Sequence, residues 1–496
     1  MFLINSISYS FLGGSSLNAR SSPLGRSIHS AFPAQFSAGR AGTRWPRRAL
    51  AAALAVAPLL VLSSGAHAQS DDRIAELERQ LRSLQQQLEL HKQEQQKINE
   101  RVLPAPGAVV ATTNGRQLTF QSTEGDFSLQ VGGRLQADAA FYDENRDAFG
   151  DGTHIRRLFL DVRGTVGQHW NYRYQYDFAR PGGSDSGSRG VRDAWIQYTG
   201  FGPHHITVGN FKAPLGLEHL ASSLATTFIE RGVTDLFSPD RRLGIGYDTS
   251  GSRWSTSWGV FGERAESSAS GADGDEGWDV NGRFTFAPVN DGTRIVHLGI
   301  AGRYHQPEDS TNELRFAARP EVNVNAARVV DTGTVAAVDD FYSLGLEAAV
   351  VLGPFSVQGE YIGTRLARSG TDAAGNRYRD ADLDAWYVYA SYTLTGEPRR
   401  YRANTGTFDR PRVASPVGKG GLGAWEVALR YSSADLSDAS VLGGELENLT
   451  LGLNWYALDN LRFSANYIHV LDVERPGHLF DGLDLDSLVL RAQIDF

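Results

Sequence analysis

The chain of 496 residues contains no cysteine and one methionine, and its formal net charge at pH 7 is -9. The lack of cysteine excludes disulfides, thiolate chemistry and zinc bound through sulfur. The acidic balance argues against a basic protein that coats nucleic acid, so no nucleic-acid partner is expected.

Residues 1–68 are predicted to be a secretory signal peptide. The first 70 residues contain six arginines and no acidic residue. They include the apolar run ALAAALAVAPLLVL (residues 49–62) and the small-residue site AHA (residues 66–68), a combination typical of a cleaved export signal. Cleavage after Ala68 would take the net charge from -9 to -15. A short N-terminal membrane anchor is the alternative, and the unusually long leader leaves the true translation start open.

Residues 69–103 are predicted to form a coiled coil in the periplasm. Seam positions recur at alternating intervals of three and four over four heptads. The heptad seam consists of Ile74, Leu77, Leu81, Leu84, Leu88, His91, Gln95, Ile98 and Val102. A lone amphipathic helix on a domain surface would show a similar period and is the alternative. The following sequence PAPGAVVATTNG, residues 104–115, cannot continue a helix and is interpreted as a linker.

From residue 116 to residue 496 the apolar pattern has a period of two, which is typical of β-strands. In WNYRYQYDF the apolar positions are Trp170, Tyr172, Tyr174, Tyr176 and Phe178. The last run, LVLRAQIDF, alternates in the same way up to Phe496. Sixteen such strands can be counted. A soluble sandwich would turn the apolar faces inward, whereas a transmembrane barrel would turn them to lipid.

The connections between strands favour the barrel. Even-numbered strands are followed by short turns such as GQH (167–169) and GP (353–354), and odd-numbered strands by long polar segments. This parity is typical of outer-membrane barrels, and no apolar run after the signal is long enough for a spanning helix. One connection, residues 395–423, is long on the short-turn side, so either the strand count slips there or this segment folds into the lumen. The predicted fold is an all-β, 16-stranded antiparallel transmembrane β-barrel with an N-terminal α-helical coiled coil.

Seven runs of the barrel region carry a family resemblance. They are DGTHIRRLFLDVRG (151–164), DAWIQYTGF (193–201), GNFKAPLGLEHLASS (209–223), FIERG (228–232), SPDRRLGIGY (238–247), GAWEVALRYS (423–432) and LGLNWY (451–456). These runs resemble the phosphate-selective porin O and P family, over essentially all of residues 116–496. The resemblance implies a homotrimer of sixteen-stranded barrels, embedded in the lipid of a Gram-negative outer membrane. It implies passage of small anions, phosphate or polyphosphate, between loops folded into the lumen. Residues 395–423 are similar to the connection that also enters the pore in that family. Phe496 is expected to be recognised by the outer-membrane assembly machinery.

A pore selects anions by lining the path with fixed positive charge, and the planar arginine fork suits phosphate. If the apolar face of each strand meets lipid, the strand arginines that point inward are Arg134, Arg157, Arg163, Arg173, Arg283, Arg430 and Arg491. The loop after the fifth strand adds Lys212, Arg231, Arg241 and Arg242, and the 395–423 segment adds Arg399, Arg400, Arg402, Arg410, Arg412 and Lys419. The predicted anion pathway comprises Arg134, Arg157, Arg163, Arg173, Lys212, Arg231, Arg241, Arg242, Arg399, Arg400 and Arg402. For each of these, pairing with a wall carboxylate is the alternative to substrate contact; the candidate carboxylates are Asp138, Asp161, Asp177, Asp193 and Glu426.

The lysine content departs from the family pattern. Members with a strong phosphate preference carry lysines in the pore, whereas this chain has four lysines, of which only Lys212 and Lys419 lie in the barrel region. Lys212 matches a family position implicated in anion binding. Anion passage therefore follows from the resemblance more directly than phosphate selectivity, and a general-diffusion porin is the alternative.

The sequence contains no Gly-x-Ser-x-Gly or His-Glu-x-x-His motif. We therefore expect a non-enzyme without catalytic residues, cofactor or bound metal. His204, His205 and His219 are interpreted as exposed turn histidines rather than metal ligands. A further alternative is an envelope-linking protein, in which the coiled coil is the functional part and the barrel only an anchor.

Overall fold

The computed structural model describes residues 67–102, 107–113, 117–179, 190–263, 275–308 and 312–496. The chain divides into two units, residues 1–89 and 90–496. Apart from His67 and Ala68, the predicted signal peptide lies outside the described residues.

One continuous α-helix, α1, spans His67–Val102, as the heptad pattern predicts. Its sequence is rich in Gln, Glu, Leu and Arg and contains neither glycine nor proline, which favours a helix. The heptad-seam residues Leu81, Leu84 and Leu88 are between 56% and 64% exposed. No helix in the described ranges has both the length and the apolarity needed to cross a membrane.

Two short strands precede the barrel. Strands β1 (Val109–Thr113) and β2 (Leu118–Ser122) pair with each other in antiparallel orientation. β1 lies within the range expected to be a linker, and its valines and threonines favour an extended chain. β2 then pairs with the start of the next strand, from Leu118↔Val131 to Gln121↔Ser128.

Sixteen antiparallel strands close into a barrel, which confirms the predicted fold class and strand number. They are β3 (Phe127–Glu144), β4 (Gly152–Val166), β5 (Trp170–Asp177), β6 (Val191–Phe201), β7 (His204–Lys212), β8 (Arg241–Ser250), β9 (Trp254–Phe261), β10 (Trp278–Asn290), β11 (Arg294–Gln306), β14 (Val338–Leu352), β15 (Phe355–Arg368), β16 (Ala381–Thr393), β19 (Ala424–Asp438), β20 (Val441–Leu458), β21 (Leu461–Glu474) and β22 (Leu485–Asp495). Each pairs with the next, and β22 pairs with β3 to close the sheet, from Leu485↔Glu144 to Asp495↔Arg134. A closed sheet leaves no unpaired edge facing lipid.

Apolar side chains of the strands face outward and polar side chains face the lumen. On β22, Leu488 and Leu490 are more than 40% exposed, whereas Arg491 and Gln493 are buried. On β5, Tyr174 is 44% exposed. A soluble sandwich would show the opposite distribution, so the alternation seen in the last residues of the sequence is that of a barrel wall in lipid.

Short connections lie at one rim of the barrel, which we call the turn rim, and most long connections lie at the other, the loop rim. The predicted strand count holds through the exceptional connection after β16. Part of this connection forms a hairpin of β17 (Arg400–Arg402) and β18 (Thr407–Asp409) that contacts inward side chains of the wall. The segment therefore folds into the lumen, which was one of the two alternatives.

The main apolar core lies inside the barrel, towards the loop rim. The connection after β7 contains the short helix α2 (Leu217–Leu220) and the 3-10 helix η1 (Val233–Phe237), and the connection after β11 contains β12 (Ala317–Ala318) and β13 (Val330–Asp331). Phe237 of the first connection packs on Phe316 of the second, and Phe316 packs on Phe341 of the wall, with ring centroids 5.2 and 5.9 Å apart. The buried wall residues of this core belong to β11, β14–β16 and β19–β22, and Tyr142 of β3 packs against it. Protein therefore occupies the lumen along these strands.

Candidate functional site

Three segments that enter the lumen define the candidate site. We call residues 213–240 the constriction loop, residues 312–337 the second loop and residues 394–423 the turn-side insert. Family-specific runs of the sequence lie in the first of these segments, and the last was singled out as an irregular connection similar to one in the family. The second loop was not singled out from the sequence.

Wall side chains hold the backbone of the constriction loop. Arg462 donates a hydrogen bond to the carbonyl oxygen of Thr226 (2.7 Å), and Arg430 donates to that of Glu230 (3.1 Å). Asn454 donates to the carbonyl oxygen of Thr227 (2.7 Å). A buried carbonyl needs a donor, and these wall groups supply it in the middle of the lumen.

The carboxylate of Glu230 anchors the same loop. Arg156 approaches it with two nitrogens, at 2.8 and 3.0 Å, and Arg491 with one, at 2.7 Å. Arg491 also makes a bidentate pair with Asp138, with both distances 2.7 Å. Arg491, which was predicted to point into the lumen, therefore pairs with two carboxylates and holds the constriction loop. It shapes the constriction rather than contacting an anion.

The helix α2 is fixed at its start by Glu360 of β15, which accepts hydrogen bonds from the backbone N–H groups of Leu217 (2.9 Å) and Glu218 (3.3 Å). Within the loop, His219 Nδ1 lies 2.8 Å from Asp235. Burial lowers the pKa of His219 to about 4, so its ring is neutral at pH 7. Although burial raises the pKa of Asp235, Arg231 and the bond to His219 bring it below its ordinary range.

The second loop inserts Glu321 between two wall strands. Its carboxylate accepts hydrogen bonds from Arg430 and Ser432 of β19 and from Thr450 of β20. Arg430 thus contacts both inward loops. The backbone of Glu321 has a φ of 56°, which is uncommon for a residue other than glycine. This anchor and the apolar core together hold the second loop against the wall.

The turn-side insert is attached mainly by arginines. Arg283 of β10 pairs with Glu347 at 2.8 and 2.7 Å and donates to the carbonyl oxygens of Thr405 and Gly406. Arg410 of the insert makes a bidentate pair with Asp495, with distances of 2.6 and 2.7 Å. The insert is therefore tied to the wall by the Arg410–Asp495 ion pair and by the hydrogen bonds of Arg283 to its carbonyl groups. Both arginines serve the architecture of the pore.

A row of partly exposed cations follows the inner wall from β3 to β8. This cation row consists of Arg134, Arg163, Arg173, Lys212 and Arg241, all of them half-buried, whereas Arg283, Arg399, Arg410, Arg430, Arg462 and Arg491 are buried. Arg163 lies opposite Arg173 across β4 and β5, and Lys212 lies opposite Arg241 across β7 and β8. Like charges directly opposite each other are unfavourable in a sheet unless other groups compensate them.

Carboxylates compensate part of the cation row. Arg173 pairs with Asp161 and approaches Asp193 at 2.7 Å. Arg241 approaches the other oxygen of Asp193 at 2.6 Å and Asp240 at 3.3 Å. Asp193 thus bridges Arg173 and Arg241. Both of these predicted pathway arginines therefore pair with a wall carboxylate.

Four more predicted pathway residues have carboxylate partners. Arg242 approaches Asp279 (2.8 Å) and Glu263 (2.9 Å), and Arg231 lies 3.7 Å from Asp235. In the insert, Asp409 lies 3.1 Å from Arg400 and 2.6 Å from Arg402. Arg402 remains 59% exposed, so its charge is accessible despite this pair.

The other predicted pathway residues bond neutral groups among the described residues. Arg134 donates to Ser223 (2.7 Å), Arg157 to Gln136 (2.8 Å) and Arg399 to Gln358 (2.9 Å). Arg163 donates to the amide oxygens of Gln130 and Gln117. Lys212 donates to the carbonyl oxygens of His219 and Ala221. Of these five, Arg134, Arg163 and Lys212 also belong to the half-buried cation row.

Several charged groups of the lumen escaped sequence reasoning. Strict alternation along β4 would turn only one of Arg156 and Arg157 towards the lumen. The register between β3 and β4 shifts beside Gln136, however, and both arginines contact groups of the lumen. Arg303 and Arg462 follow the alternation of β11 and β21 and could have been found by it. Glu230 and Glu321 lie in loops, where alternation gives no orientation. The inward position of Glu360 follows the alternation of β15, but its role depends on a distant partner.

The histidine interpretation holds in part. His204 is exposed and His205 half-buried at the start of β7, whereas His219 is buried within the constriction loop. The interpretation of His219 as an exposed turn residue was therefore wrong, because the loop that carries it folds into the lumen. Among the described residues, no group of three or more His, Asp or Glu side chains is arranged to hold a metal ion.

The family description "Phosphate-selective porin O and P" matches residues 129–496. The chain belongs to this family. It is 30% identical over 420 residues to Porin O of Pseudomonas aeruginosa, covering 78% of this chain and 92% of that protein. An uncharacterised protein of Caulobacter vibrioides is 30% identical over 459 residues, covering 85% and 89% of the two chains. Among solved structures, an anion-selective porin from Comamonas acidovorans aligns with a TM-score of 0.45 at 15% identity, over 75% of this chain and 100% of that chain. Family membership implies a channel protein of the outer membrane rather than an enzyme.

Proposed function

We propose that the barrel is a passive channel through which small anions, phosphate or polyphosphate among them, diffuse across the outer membrane. The observation that carries this proposal is the half-buried cation row on β3–β8. Three of its members, Arg134, Arg163 and Lys212, bond only neutral groups of the described residues, so their charges are not cancelled by direct ion pairs. Fixed charge of one sign on the wall of a narrow path concentrates ions of the opposite sign.

The order of the cations suggests a path. Arg134, Lys212 and Arg241 lie beside the constriction loop, and Arg163 lies closer to the turn rim, near the exposed Arg402 of the insert. An anion that leaves the constriction would pass from the first group to the second. Arginine presents two parallel N–H groups to phosphate oxygens and stays charged at any physiological pH, which makes phosphate a fitting ligand.

A general-diffusion porin without phosphate selectivity is the second candidate. Asp161 and Asp193 neutralise Arg173 within the same row, and Lys212 is the only lysine among the row cations. The name of the family supports phosphate as the preferred anion, whereas these carboxylates support weaker discrimination between anions.

Reversal potentials of the purified full-length protein in planar bilayers test the proposal. With a potassium chloride gradient, the expected reversal potential is that of an anion-preferring pore, and added phosphate should block the chloride current. A cation-preferring potential would rule out the anion channel. An anion preference without phosphate block would leave the general-diffusion porin.

We further propose that the protein is a homotrimer and that α1 assembles as a periplasmic coiled coil. The exposed leucines of the heptad seam support the second part, because an apolar stripe of this kind is normally buried between helices. Deleting residues 70–103 tests the coiled coil separately from conduction. If the protein is an envelope linker, the deletion should leave the conductance unchanged and abolish attachment of the outer membrane to the cell wall. We also retain the proposal that Phe496 is recognised during outer-membrane assembly.

A further inference from the structure

A carboxylate of the second loop occupies a set of hydrogen-bond donors on the inner wall of the barrel. We call Arg430 and Ser432 of β19 and Asn448 and Thr450 of β20 the oxyanion cradle. Arg430 lies directly opposite Thr450 in the sheet, and Ser432 lies directly opposite Asn448. All four residues are buried. The carboxylate of Glu321 accepts hydrogen bonds from Arg430, from Ser432 (2.7 Å) and from Thr450 (3.0 Å). The wall thus supplies the donors, and the loop supplies the anion.

The wall itself gives Arg430 no anionic neighbour. The residues directly opposite Arg430 on β16 and β20 are Tyr389 and Thr450, which carry no charge. Arg491, by contrast, pairs with Asp138 on the strand beside it. Among the described residues, both carboxylates that approach Arg430 belong to the inward loops. A buried guanidinium without an anion is costly, so the cradle needs a negative group even when no loop supplies one.

The cradle has more donors than the carboxylate of Glu321 uses. Asn448 is fully buried, and neither its amide nitrogen nor its amide oxygen has a partner among the described residues. The Nε group of Arg430 likewise has none there. A carboxylate presents two oxygens, and both are engaged here, whereas phosphate presents four oxygens in a tetrahedron. The unused donors therefore favour a tetrahedral oxyanion as a ligand of the cradle.

Glu321 lies on a short segment that can withdraw while the rest of the second loop stays in place. Phe316, Val329 and Val330, on either side of this segment, are buried in the apolar core. Between them, Glu321 is the only charged residue of the loop tip, which we define as residues 320–327. Its φ of 56° is unfavourable for a residue with a side chain and persists only where contacts impose it. Release of the carboxylate would therefore relax this backbone without disturbing the core.

We propose that the oxyanion cradle is an anion-binding site, that Glu321 is its tethered occupant, and that inorganic phosphate exchanges with this carboxylate. The site lies on other strands than the cation row. The inference rests on the proposed passage of phosphate through the lumen, which brings the ligand to the cradle. Exchange frees the loop tip. It also acts on the constriction loop, because Arg430 donates a hydrogen bond to the carbonyl oxygen of Glu230 (3.1 Å).

The variant Glu321→Ala removes the tethered occupant and tests the binding site. The measurement is the unfolding temperature of the full-length protein in detergent with added phosphate, compared with sodium chloride at equal ionic strength. Phosphate should cause a larger, saturable rise in Glu321→Ala than in the matched control that combines Glu321→Ala with Arg430→Gln, because only the former keeps the guanidinium of the cradle. The cation row is the same in both variants, so its own phosphate binding cancels in the comparison. Equal rises would show that the cradle binds no phosphate.

Heat-dependent gel mobility checks that these variants are folded barrels. If Glu321→Ala does not fold, Glu321→Gln removes the charge while keeping the size of the side chain. If the control does not fold, Thr450→Val takes the place of Arg430→Gln, since it deletes one donor of the cradle and keeps its shape. The expected difference between variant and control stays the same, and its absence overturns the site.

A spin label on the loop tip tests the exchange with Glu321 in place. Ala326→Cys puts a single cysteine at an exposed position of the tip, because the natural chain has no cysteine. The mobile fraction of the electron paramagnetic resonance spectrum should rise about two-fold or more in about 100 mM phosphate, since a tethered group acts at an effective concentration on the order of millimolar. A label at Ala373→Cys, exposed in the connection after β15, is the matched control and should not respond. An unchanged label at Ala326→Cys, or an equal response at both positions, would show that Glu321 is a fixed anchor and would overturn the exchange.

The reversal potential of the wild type separates this inference from the proposed channel. A cation-preferring pore whose loop-tip label still responds to phosphate refutes only the anion channel. An anion-preferring pore whose loop-tip label does not respond refutes only the exchange at the cradle.

Discussion

Replacing Arg134 by glutamine removes one positive charge from the cation row and retains a side chain that can hydrogen-bond Ser223. In the wild type, the guanidinium donates to that hydroxyl at 2.7 Å and lies over the ring of Phe159, 4.8 Å from its centroid. No carboxylate of the described residues pairs with Arg134, so the substitution leaves no buried anion without a partner. The expected consequence is weaker phosphate binding without collapse of the constriction.

The size of the effect follows from Coulomb's law. The two charges of HPO₄²⁻ at about 5 Å from a unit charge interact by about 1.7 kcal/mol at the dielectric constant of water, and 0.1 M salt reduces this to about 1 kcal/mol. The half-buried position of Arg134 lowers the effective dielectric constant and raises the interaction. Loss of this charge should therefore weaken phosphate binding by about 1 to 2 kcal/mol, or about 5- to 30-fold.

The assay is phosphate block of chloride current through single channels in planar bilayers, recorded at fixed ionic strength. Arg365→Gln is the matched control, since it removes the same charge from an exposed arginine that pairs with Asp380 and Asp382. It should leave the blocking concentration unchanged. A shift smaller than about two-fold for Arg134→Gln, or an equal shift in the control, would refute the role of this arginine in the anion path.

Four other changes have defined outcomes. Asp193→Asn adds one net positive charge to the row and should strengthen phosphate block, measured as a lower blocking concentration; unchanged block would contradict the proposed path. Glu230→Gln removes the negative charge that pairs with Arg156 and should weaken the attachment of the constriction loop by about 3 kcal/mol. The expected result is new flickering of the single-channel current. Because the folded state keeps His219 neutral down to about pH 4, acidification from pH 7 to pH 5 protonates the unfolded loop preferentially and should also increase flickering; a His219→Gln channel should lack this dependence. Leu84→Lys in the heptad seam should abolish self-association of the helix, measured by cross-linking, without changing conductance.

The pairing of lumen arginines was beyond sequence reasoning because their partners are remote along the chain. Arg491 and Asp138 are separated by 353 residues, and Arg462 and Thr226 by 236. Alternation identified the inward position of Arg491, but its commitment to Asp138 and Glu230 depends on how the barrel closes and on where the constriction loop lies. The register shift that brings Arg156 to the carboxylate of Glu230 is likewise a property of two paired strands rather than of one.

The sequence by itself determined the strand pattern, the number of barrel strands, the helix α1 and, wherever the alternation is unbroken, the side of each strand that faces lipid. These are local properties: a period of two or of three and a half is set by the geometry of an extended or helical chain and needs no knowledge of distant residues. The tertiary structure decided that the second loop and the turn-side insert occupy the lumen, and which cations stay accessible to an anion. Ion pairs such as Arg491–Asp138 and Arg410–Asp495 form where segments distant in the chain meet. Which charges such pairs leave accessible, among them those of Arg134, Arg163 and Lys212, could therefore be read only from the folded barrel.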